Sequence, residues 1–397
     1  MKTSLHPLSL VLLSAITALS AHAANLAWSP SGTFGGTVSA PTGSGGAGTW
    51  DTTSAFWSNS SGVVAWNNAN GDTAIFGGTA ATVTLGSDIT VNDITITPAS
   101  YVIARDTGNA FSLNVTGTIT NANAATITAK LSGSSGLTKS GIGTLGLFGT
   151  VANTYTGNTV INAGTLQPRA NGALPTGTTV IIGTGTNVAT LDVRVSQTIA
   201  GLTTGGTGAA TVTNNQTNGT TTLTVSSTST DSTFSGVIKD GDATKFIALT
   251  KSGSSTFTLT GANTYSGATT VNAGTLATGS TGTFGGGNVS VAAGAALTFG
   301  NNASIGDLKA LTFASTSSIA LNFTGAETVG SVFNSVTATF LADGTYDATG
   351  LNNFFGVSAF SGTGSLTVSA IPEPATVAML AGLAGLGLAA TRRRRHA

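Results

Sequence analysis

The sequence predicts an all-β protein built as a single right-handed parallel β-helix, and three observations support this fold. One stretch occurs twice: residues 137–166 read LTKSGIGTLGLFGTVANTYTGNTVINAGTL, and residues 249–276 read LTKSGSSTFTLTGANTYSGATTVNAGTL. Apolar and polar residues alternate within both copies. The 397 residues include 55 glycines and no cysteine, and only 7% of them are charged. A long direct repeat is typical of a unit that buries its apolar side by stacking on neighbouring units.

The alternation within the second copy predicts which side chains face the interior. Residues 256–260 read TFTLT, so Phe257 and Leu259 share one side and the threonines share the other. After a predicted turn at 261–263, Val271 is expected to face inward from the next strand. A β-sandwich is the alternative fold, but Asn-Gly hairpin turns are scarce and a sandwich does not account for the long repeat.

Both copies share the frame Leu-Thr-Lys-Ser-Gly, Ala-Asn-Thr-Tyr and Asn-Ala-Gly-Thr-Leu. This frame resembles the autotransporter-associated β-strand repeat, a passenger-type unit of bacterial surface and secreted proteins. The resemblance implies a β-helix, in agreement with the alternation. The remaining alternating segments are interpreted as degenerate coils, and the chain is expected to form about 13–16 coils in all.

The N-terminal segment 1–24 has the pattern of a signal peptide. Lys2 supplies a positive start, residues 8–19 are apolar, and Ala21 and Ala23 are the small residues of a cleavage site. An uncleaved membrane anchor is the alternative, but the apolar run is short. We therefore expect export by the general secretion machinery and cleavage by signal peptidase.

Residues 25–136 are predicted to form the N-terminal cap and the first coils, because solenoids need an atypical end over their open core. This region contains all four tryptophans of the chain, which are Trp28, Trp50, Trp57 and Trp66. A carbohydrate-binding platform is the alternative role for them. Residues 137–370 are predicted to form the rest of the β-helix with an aromatic C-terminal cap. No segment of residues 25–370 shows a convincing helical period.

The C-terminal segment 371–397 carries a second targeting pattern. Pro372, Glu373 and Pro374 precede an apolar run at 375–390, which is near the short limit of a transmembrane helix. The basic residues that follow are predicted to stop transfer and stay cytoplasmic; they are Arg392, Arg393, Arg394 and Arg395. The whole segment resembles the PEP-CTERM sorting signal. This resemblance implies processing by an exosortase after transient inner-membrane anchoring, whereas a plain anchor that is never cut is the alternative.

Little catalytic chemistry is available between the two targeting segments. The three histidines, His6, His22 and His396, lie in those segments. The predicted mature domain thus lacks the commonest general base, the commonest metal ligand and the thiol nucleophile. We therefore predict no catalytic residue, no cofactor and no metal site.

Two groups of carboxylates are candidate sites. Asp192 and Arg194 alternate on a predicted strand, where a polysaccharide lyase could use them, but a surface ion pair is the preferred interpretation. Asp240 and Asp242 flank a glycine without the further carboxylates of a calcium loop, so they are interpreted as a turn. Nucleic acid is not an expected partner, because residues 25–371 carry a net charge of about −4.

These observations predict a non-enzymatic protein that is exported to the cell surface or the extracellular matrix. Its expected role is structural or adhesive, in association with exopolysaccharide. The alternative is a polysaccharide-acting β-helix enzyme or a carbohydrate-binding module. A self-translocating autotransporter is disfavoured, because the chain ends in an apolar run and arginines instead of the alternating strands of a membrane barrel.

Overall fold

The computed structural model describes residues 23–37, 39–215 and 218–369, and it shows a parallel β-solenoid of about 12 turns. The all-β prediction is therefore confirmed, while the right-handed sense of the coil stays a prediction. Most of the signal peptide, including Ala21, and all of the predicted sorting segment lie outside the described residues. Within the described ranges, no helix combines the length and the apolar character needed to cross a membrane.

Each turn of the solenoid contributes to three lengthwise faces, because the strands stack in parallel on their counterparts one turn away. Face 1 comprises Asn25–Trp28, Thr73–Phe76, Ile94–Ile96, Thr118–Asn121, Leu137–Ser140, Thr159–Ile161, Thr179–Ile182 and Gly201–Thr204, and it continues as Ser232–Phe234, Thr256–Leu259, Thr275–Thr278, Ala296–Phe299, Ser318–Leu321 and Phe360–Gly362. The two parts of face 1 meet where Ser235 N donates to Thr204 Oγ1 at 3.1 Å.

Face 2 follows face 1 in each turn and changes character along the axis. Its strands are Gly48–Trp50, Thr82–Leu85, Tyr101–Ala104, Ala125–Ile127, Thr144–Leu147, Gly164–Pro168, Ala189–Asp192, Ala210–Thr213 and Val237–Ile238, and later Ala326–Val329 and Ser365–Val368. Between these two groups, irregular segments replace strands. Asn263 continues the stack there, because its Oδ1 accepts the Ile238 N–H at 2.8 Å.

Face 3 completes each turn. Its strands are Ile89–Val91, Ser112–Val115, Lys130–Ser132, Gln197–Ile199, Gly219–Val225, Lys245–Lys251, Thr269–Val271, Val289–Val291, Ala310–Phe313 and Ser331–Asn334. Asn153 fills a gap in this face, since its Oδ1 accepts the Leu131 N–H at 2.8 Å and its Nδ2 donates to the Ala173 carbonyl at 2.8 Å.

The alternation of side chains in the strands produces one continuous apolar interior. Phe257, Leu259 and Val271 are fully buried, as the sequence predicts. The register aligns Leu259 with Phe234 on one neighbouring turn and with Thr278 on the other. Interior side chains therefore stack turn upon turn, and each turn relies on its neighbours to exclude water.

The N-terminal end of the core is closed by aromatic side chains. All four tryptophans are almost completely buried. The ring of Trp57 lies 4.8–5.1 Å, centroid to centroid, from the rings of Trp28, Trp50 and Trp66. The short strands Trp57–Ser58 and Val63–Val64 run antiparallel over the first turn, and the hairpin Phe34–Thr37 with Ala40–Gly43 lies beside it. The carbohydrate-platform alternative is wrong, because buried rings cannot stack on a sugar.

The C-terminal end corrects two predictions. A helix spans Ala348–Phe355, although no helical period was expected there. Asp347 caps its N-terminus by accepting the Gly350 N–H at 2.7 Å. Phe355 packs edge-on against Phe313 with the ring centroids 5.0 Å apart. Two strands also belong to this cap. Thr339–Phe340 pairs antiparallel with Ser331–Asn334, and Gly344–Asp347 pairs antiparallel with Ser365–Val368. The prediction of 13–16 coils is therefore too high, because residues counted as coils form the caps at the two ends of the solenoid.

The two repeat copies contain the same buried polar contacts. Lys139 Nζ donates to the carbonyls of Ser140, Gly141 and Ala163 at 2.7–3.1 Å. In the second copy, Lys251 Nζ makes the same three contacts with the carbonyls of Ser252, Gly253 and Ala273. The conserved frame of the repeat therefore has a structural role, because three ammonium donors satisfy three carbonyls at a corner of the coil.

The two copies nevertheless begin on different faces. Leu137–Ser140 lies in face 1, whereas Lys245–Lys251, where the second copy begins, lies in face 3. In the same way, Asn153 bridges turns of face 3 and Asn263 bridges turns of face 2. The chain between the copies therefore completes a fractional number of turns. Equivalent outer residues of the two copies point to different sides of the solenoid.

A buried carboxyl near the C-terminal cap is expected to make stability depend on pH. Glu327 is 1% exposed, and its carboxyl oxygens accept the Ile305 N–H at 2.6 Å and the Ser304 N–H at 3.2 Å. Burial raises the pKa of Glu327 from 4.5 to about 7; the two N–H groups oppose this rise, and the charge of Asp307 adds to it. The folded state thus holds this proton more tightly than the unfolded state does.

We expect this stabilisation to be complete below pH 4.5 and to decline as pH rises towards 7. The decline should amount to about 2–3 kcal/mol of unfolding free energy. Urea unfolding of the wild type and of Glu327→Gln across this range measures it, because the glutamine variant has lost the ionisable group. A difference between the two proteins that stays constant with pH would show that Glu327 does not titrate in this way.

Candidate binding surface

A ladder of threonines runs along the outside of face 2. Thr144, Thr165, Thr190 and Thr211 are aligned on four successive turns by the parallel register. Their inward neighbours are buried aliphatic residues, so strand alternation places the threonines on the outer surface, where each is half-buried. The result is a row of hydroxyl groups spaced by about 4.8 Å, the distance between adjacent strands.

Three adjoining depressions of about 390, 400 and 450 Å³ follow this threonine ladder. On one side they are bordered by corner residues that include the exposed Ile142 and Val188. On the other side the border includes Asn215 and the turn at 239–241. We call the ladder with these borders the face 2 groove. It runs parallel to the solenoid axis and is open to solvent.

The pair Asp192 and Arg194 lies at the edge of this groove, but the carboxylate is not on the surface. Asp192 is fully buried, and its Oδ2 accepts from Arg194 Nε at 3.0 Å and from Gln167 Nε2 at 2.7 Å. Its Oδ1 accepts the Asn215 N–H at 2.8 Å. The predicted ion pair is therefore present, whereas its predicted surface exposure is wrong. Following segments of the chain cover the carboxylate and leave only the arginine half-exposed.

Arg169 lies one turn away from Arg194 and is held from two directions. Its Cζ atom is 4.4 Å from the centroid of the Phe148 ring. Gln167 Oε1 accepts from Arg169 Nε at 3.0 Å and also from Nη2. The Phe148 ring itself lies over Gly146, where an added Cβ would be 2.7 Å from a ring carbon. Glycine at 146 is thus required for the ring to lie flat beneath the guanidinium.

Arg105 joins the same corner from a lower turn. Its Nη1 donates to Thr150 Oγ1 and to Asn109 Oδ1. Each of the three arginines comes one or two residues after a strand of face 2, so all three lie where face 2 turns into face 3. We call Arg105, Phe148, Arg169 and Arg194, with the supporting Gln167 and Asp192, the arginine corner.

Sequence reasoning found Asp192 and Arg194 but missed the rest of the arginine corner. A signal was present in the differences between the repeat copies. Phe148 and Arg169 of the first copy correspond to Thr260 and Gly279 in the second. The two extra residues of the first copy, Thr150 and Val151, also lie here. Residues that vary between copies of one scaffold are free of its packing requirements, so they can serve another purpose.

The other carboxylates considered from the sequence are held by the protein itself. Asp242 Oδ1 accepts from Thr244 N and Thr244 Oγ1, both at 2.8 Å, and its Oδ2 lies 2.7 Å from Lys245 Nζ. Asp240 accepts from the backbone of Ile247 and Ser266. The Asp242 contacts are those of a local turn, as predicted, whereas Asp240 also links this turn to Ser266 on the next coil. Across the described ranges, no three His, Cys, Asp or Glu residues come together as a metal site.

Comparison with known proteins agrees with the repeat seen in the fold. The family model described as Passenger-associated-transport-repeat matches residues 137–167 and 249–277. These two stretches are therefore similar to that repeat. These stretches are the two repeat copies, each extended by one residue at the C-terminal side. The Lys and Asn positions that make the buried polar contacts all lie within them.

One curated protein is similar over a longer stretch. The "Adhesin BmaC autotransporter" of Brucella suis biovar 1 (strain 1330) is 44% identical to this chain over 174 residues. The match covers 42% of this chain and 5% of the adhesin, so this chain spans only a small part of that protein's length. No solved structure gave a significant match.

Proposed function

We propose that this chain is a non-enzymatic adhesive protein, exported to the cell surface or extracellular matrix, whose face 2 groove associates with exopolysaccharide. The observation that carries the proposal is the threonine ladder with its adjoining depressions along the solenoid axis. The passenger-associated-transport repeats and the similarity to part of an adhesin support it.

The groove suits a linear sugar polymer for geometric reasons. Threonine hydroxyls can both donate and accept hydrogen bonds, as sugar hydroxyls can. Because the ladder repeats with every turn, a polymer lying along the axis meets the same group again at each step. Many weak contacts along one polymer can give firm attachment although each contact alone is weak.

The buried carboxylate supports a binding role in preference to an enzymatic one. Glycoside hydrolysis needs two carboxyl groups that flank a bound sugar. Two of the carboxyls singled out from the sequence lie near the groove. Asp192 is fully buried and accepts three hydrogen bonds, and Asp240, on the groove border, accepts from the backbone N–H groups of Ile247 and Ser266. The carbohydrate-binding alternative can use the same groove, whereas the enzyme alternative needs two accessible carboxyl groups on either side of the sugar.

The route to the surface is also part of the proposal. The segment 1–24 would direct export and be cleaved beside Ala23. The sorting motif Pro372-Glu373-Pro374 would be recognised by an exosortase while the run at 375–390 is held in the inner membrane by the arginines at 392–395. Release from this anchor would place a right-handed solenoid at the surface, with its groove open to the surrounding polysaccharide.

The proposal predicts that matrix attachment depends on the threonine ladder. In an exosortase-containing host, the full chain should be recovered in the polysaccharide-bound fraction. The double variant Thr165→Val with Thr190→Val should weaken this attachment by about thirtyfold, because the two lost hydrogen bonds contribute about 1 kcal/mol each. The same change at Thr258 and Thr298, outward threonines of face 1, is the matched control.

Two outcomes would count against the proposal. Equal loss in both double variants would indicate general damage, and no loss in either would exclude the groove. Peptide mapping of the recovered protein tests the sorting route at the same time. A mature chain that still ends in His396-Ala397 would leave only a plain membrane anchor.

A further inference from the structure

We propose that the arginine corner binds the carboxylates of an acidic polysaccharide that lies in the face 2 groove. This inference rests on the proposed function and names the class of polymer. Arg169 and Arg194 would each pair with a carboxylate of a uronic-acid-type sugar. The threonine ladder would contact the hydroxyl groups of the same polymer.

The distribution of arginine in the chain is the first argument. The described ranges contain three arginines, and all three lie at this one corner. Most lysines of these ranges are spread over the other faces or are buried in the repeat frame, as Lys139 and Lys251 are. In a chain with 7% charged residues, this concentration of guanidinium groups is a distinct surface feature. Arginine is also the side chain best suited to bind a carboxylate through two parallel hydrogen bonds.

The differences between the repeat copies are the second argument. The first copy has Gly146, Phe148, Gln167 and Arg169 where the second has Thr258, Thr260, Ala277 and Gly279. These four residues act as one unit, because the glycine admits the ring while the ring and the glutamine orient the guanidinium. The second copy folds without any of them. The shared frame of the repeat therefore does not require them.

The third argument is the net positive charge of the group, because Arg169 and Arg194 together face one paired carboxylate, that of Asp192. Among the described residues, Arg169 Nη1 and both Nη atoms of Arg194 have no hydrogen-bond partner. Asp192, the carboxylate that pairs with Arg194, accepts three hydrogen bonds, one of them from Arg194 itself. Burial, with a further contribution from the charge of Arg194, lowers the pKa of Arg169. The repulsion between the two guanidinium groups decreases when an anion binds between or beside them, and their free N–H groups can donate to it.

The geometry favours a linear polymer over an isolated anion. The register places Phe148, Arg169 and Arg194 in one column on three successive turns. The two guanidinium-bearing positions are thus separated by about 4.8 Å along the axis, the direction in which the groove runs. A polymer that follows the threonines passes both arginines.

Nucleic acid fits this corner less well than an acidic sugar does. Binding of single strands relies on exposed aromatic rings that stack on bases. Here the Phe148 ring is covered by Arg169 on one side and lies over Gly146 on the other. Hydroxyl groups, which match sugars, line the adjoining groove. The corner therefore offers charge and hydroxyl contacts, and the Phe148 ring already has Arg169 stacked on it.

The experiment measures retention of the full chain, purified in detergent, by three immobilised polymers. Alginate is a linear polymer of uronic acids, dextran is a neutral polysaccharide, and double-stranded DNA is a polyanion without carboxylates. We expect retention by alginate that weakens as salt rises, because charge pairs are screened. The double variant Arg169→Gln with Arg194→Gln should bind alginate at least about tenfold more weakly.

Matched variants separate charge from geometry and from folding. Lys309→Gln removes one positive charge from a distant turn and should stay within about twofold of wild type. Arg169→Lys keeps the charge but loses the planar fork, so it should lose part of the affinity. Phe148→Thr with Arg169→Gly copies the residues of the second repeat. It should bind alginate as weakly as the double arginine variant while keeping the wild-type unfolding temperature.

The possible results distinguish this inference from the proposed function. One result is that the wild type fails to bind alginate but still attaches to its own matrix through the threonine ladder. This result would reject carboxylate binding by the arginine corner and leave the proposed function of the face 2 groove intact. Unchanged alginate binding by the double arginine variant would also overturn this inference. Equally tight retention on DNA would replace it with general polyanion binding. Loss of attachment to every polysaccharide tested would remove both proposals.

Discussion

Replacing Leu259 with Asp is expected to lower the free energy of unfolding by about 3–5 kcal/mol. Leu259 is fully buried and lies in register between Phe234 and Thr278 on the adjacent turns. The introduced carboxylate would have no cation beside it in this apolar interior, so it would either remain charged at a high cost or take up a proton. Urea unfolding followed by circular dichroism measures the change.

The neighbouring residue provides the control for this prediction. Thr258 precedes Leu259 in the same strand, but it points outward and is half-exposed. Thr258→Asp should change the unfolding free energy by less than about 1 kcal/mol. Similar losses in both variants would mean that inward and outward positions are not distinguished as the alternation requires, and the solenoid register at this strand would be wrong.

Replacing Asn263 with Ala is expected to cost about 2–4 kcal/mol. The Asn263 side chain accepts the Ile238 N–H at 2.8 Å and donates to the carbonyls of Thr283 at 2.8 Å and Gly261 at 3.0 Å. It therefore takes the place of a strand between two turns of face 2. Alanine would leave these backbone groups without their partner in a buried position, which is more costly than the loss of an exposed hydrogen bond.

Hydrogen exchange shows which turns of the solenoid lose stability in Asn263→Ala. Because each turn of a solenoid contacts mainly its neighbours, the loss should be concentrated near the altered turn. The amide of Ile238 should exchange much faster in Asn263→Ala than in wild type, whereas amides in the tryptophan cap should not change. The exposed Asn272, in the same repeat copy, is the matched control, and Asn272→Ala should leave both regions unaffected.

The first repeat copy extends the same prediction to another face. Asn153 bridges Leu131 and Ala173 in face 3 through the same side-chain atoms. Asn153→Ala should therefore resemble Asn263→Ala in magnitude but affect exchange at Leu131. A large effect in one copy and none in the other would show that the shared frame does not have the same structural role in both.

The C-terminal helix is an element that the local sequence does not predict. Asp347 and Gly356 are ordinary signals for the start and the end of a helix, yet the segment ATGLNNFF between them has low helix propensity. Its eight residues are too few to be stable alone. Packing of Leu351 and Phe355 against the end of the core stabilises the helix.

Local pattern was sufficient for the class of fold and for the inward residues. Alternation of period two and a long direct repeat both depend on neighbours in the sequence, and they correctly predicted stacked parallel strands with Phe257, Leu259 and Val271 inside. Tertiary structure decided the burial of Asp192, the different faces of the two repeat copies and the assembly of the arginine corner. Arg105, Arg169 and Arg194 are far apart in the chain and come together only because successive turns have particular lengths. Those lengths depend on how each loop packs around the core, which a strand pattern does not encode.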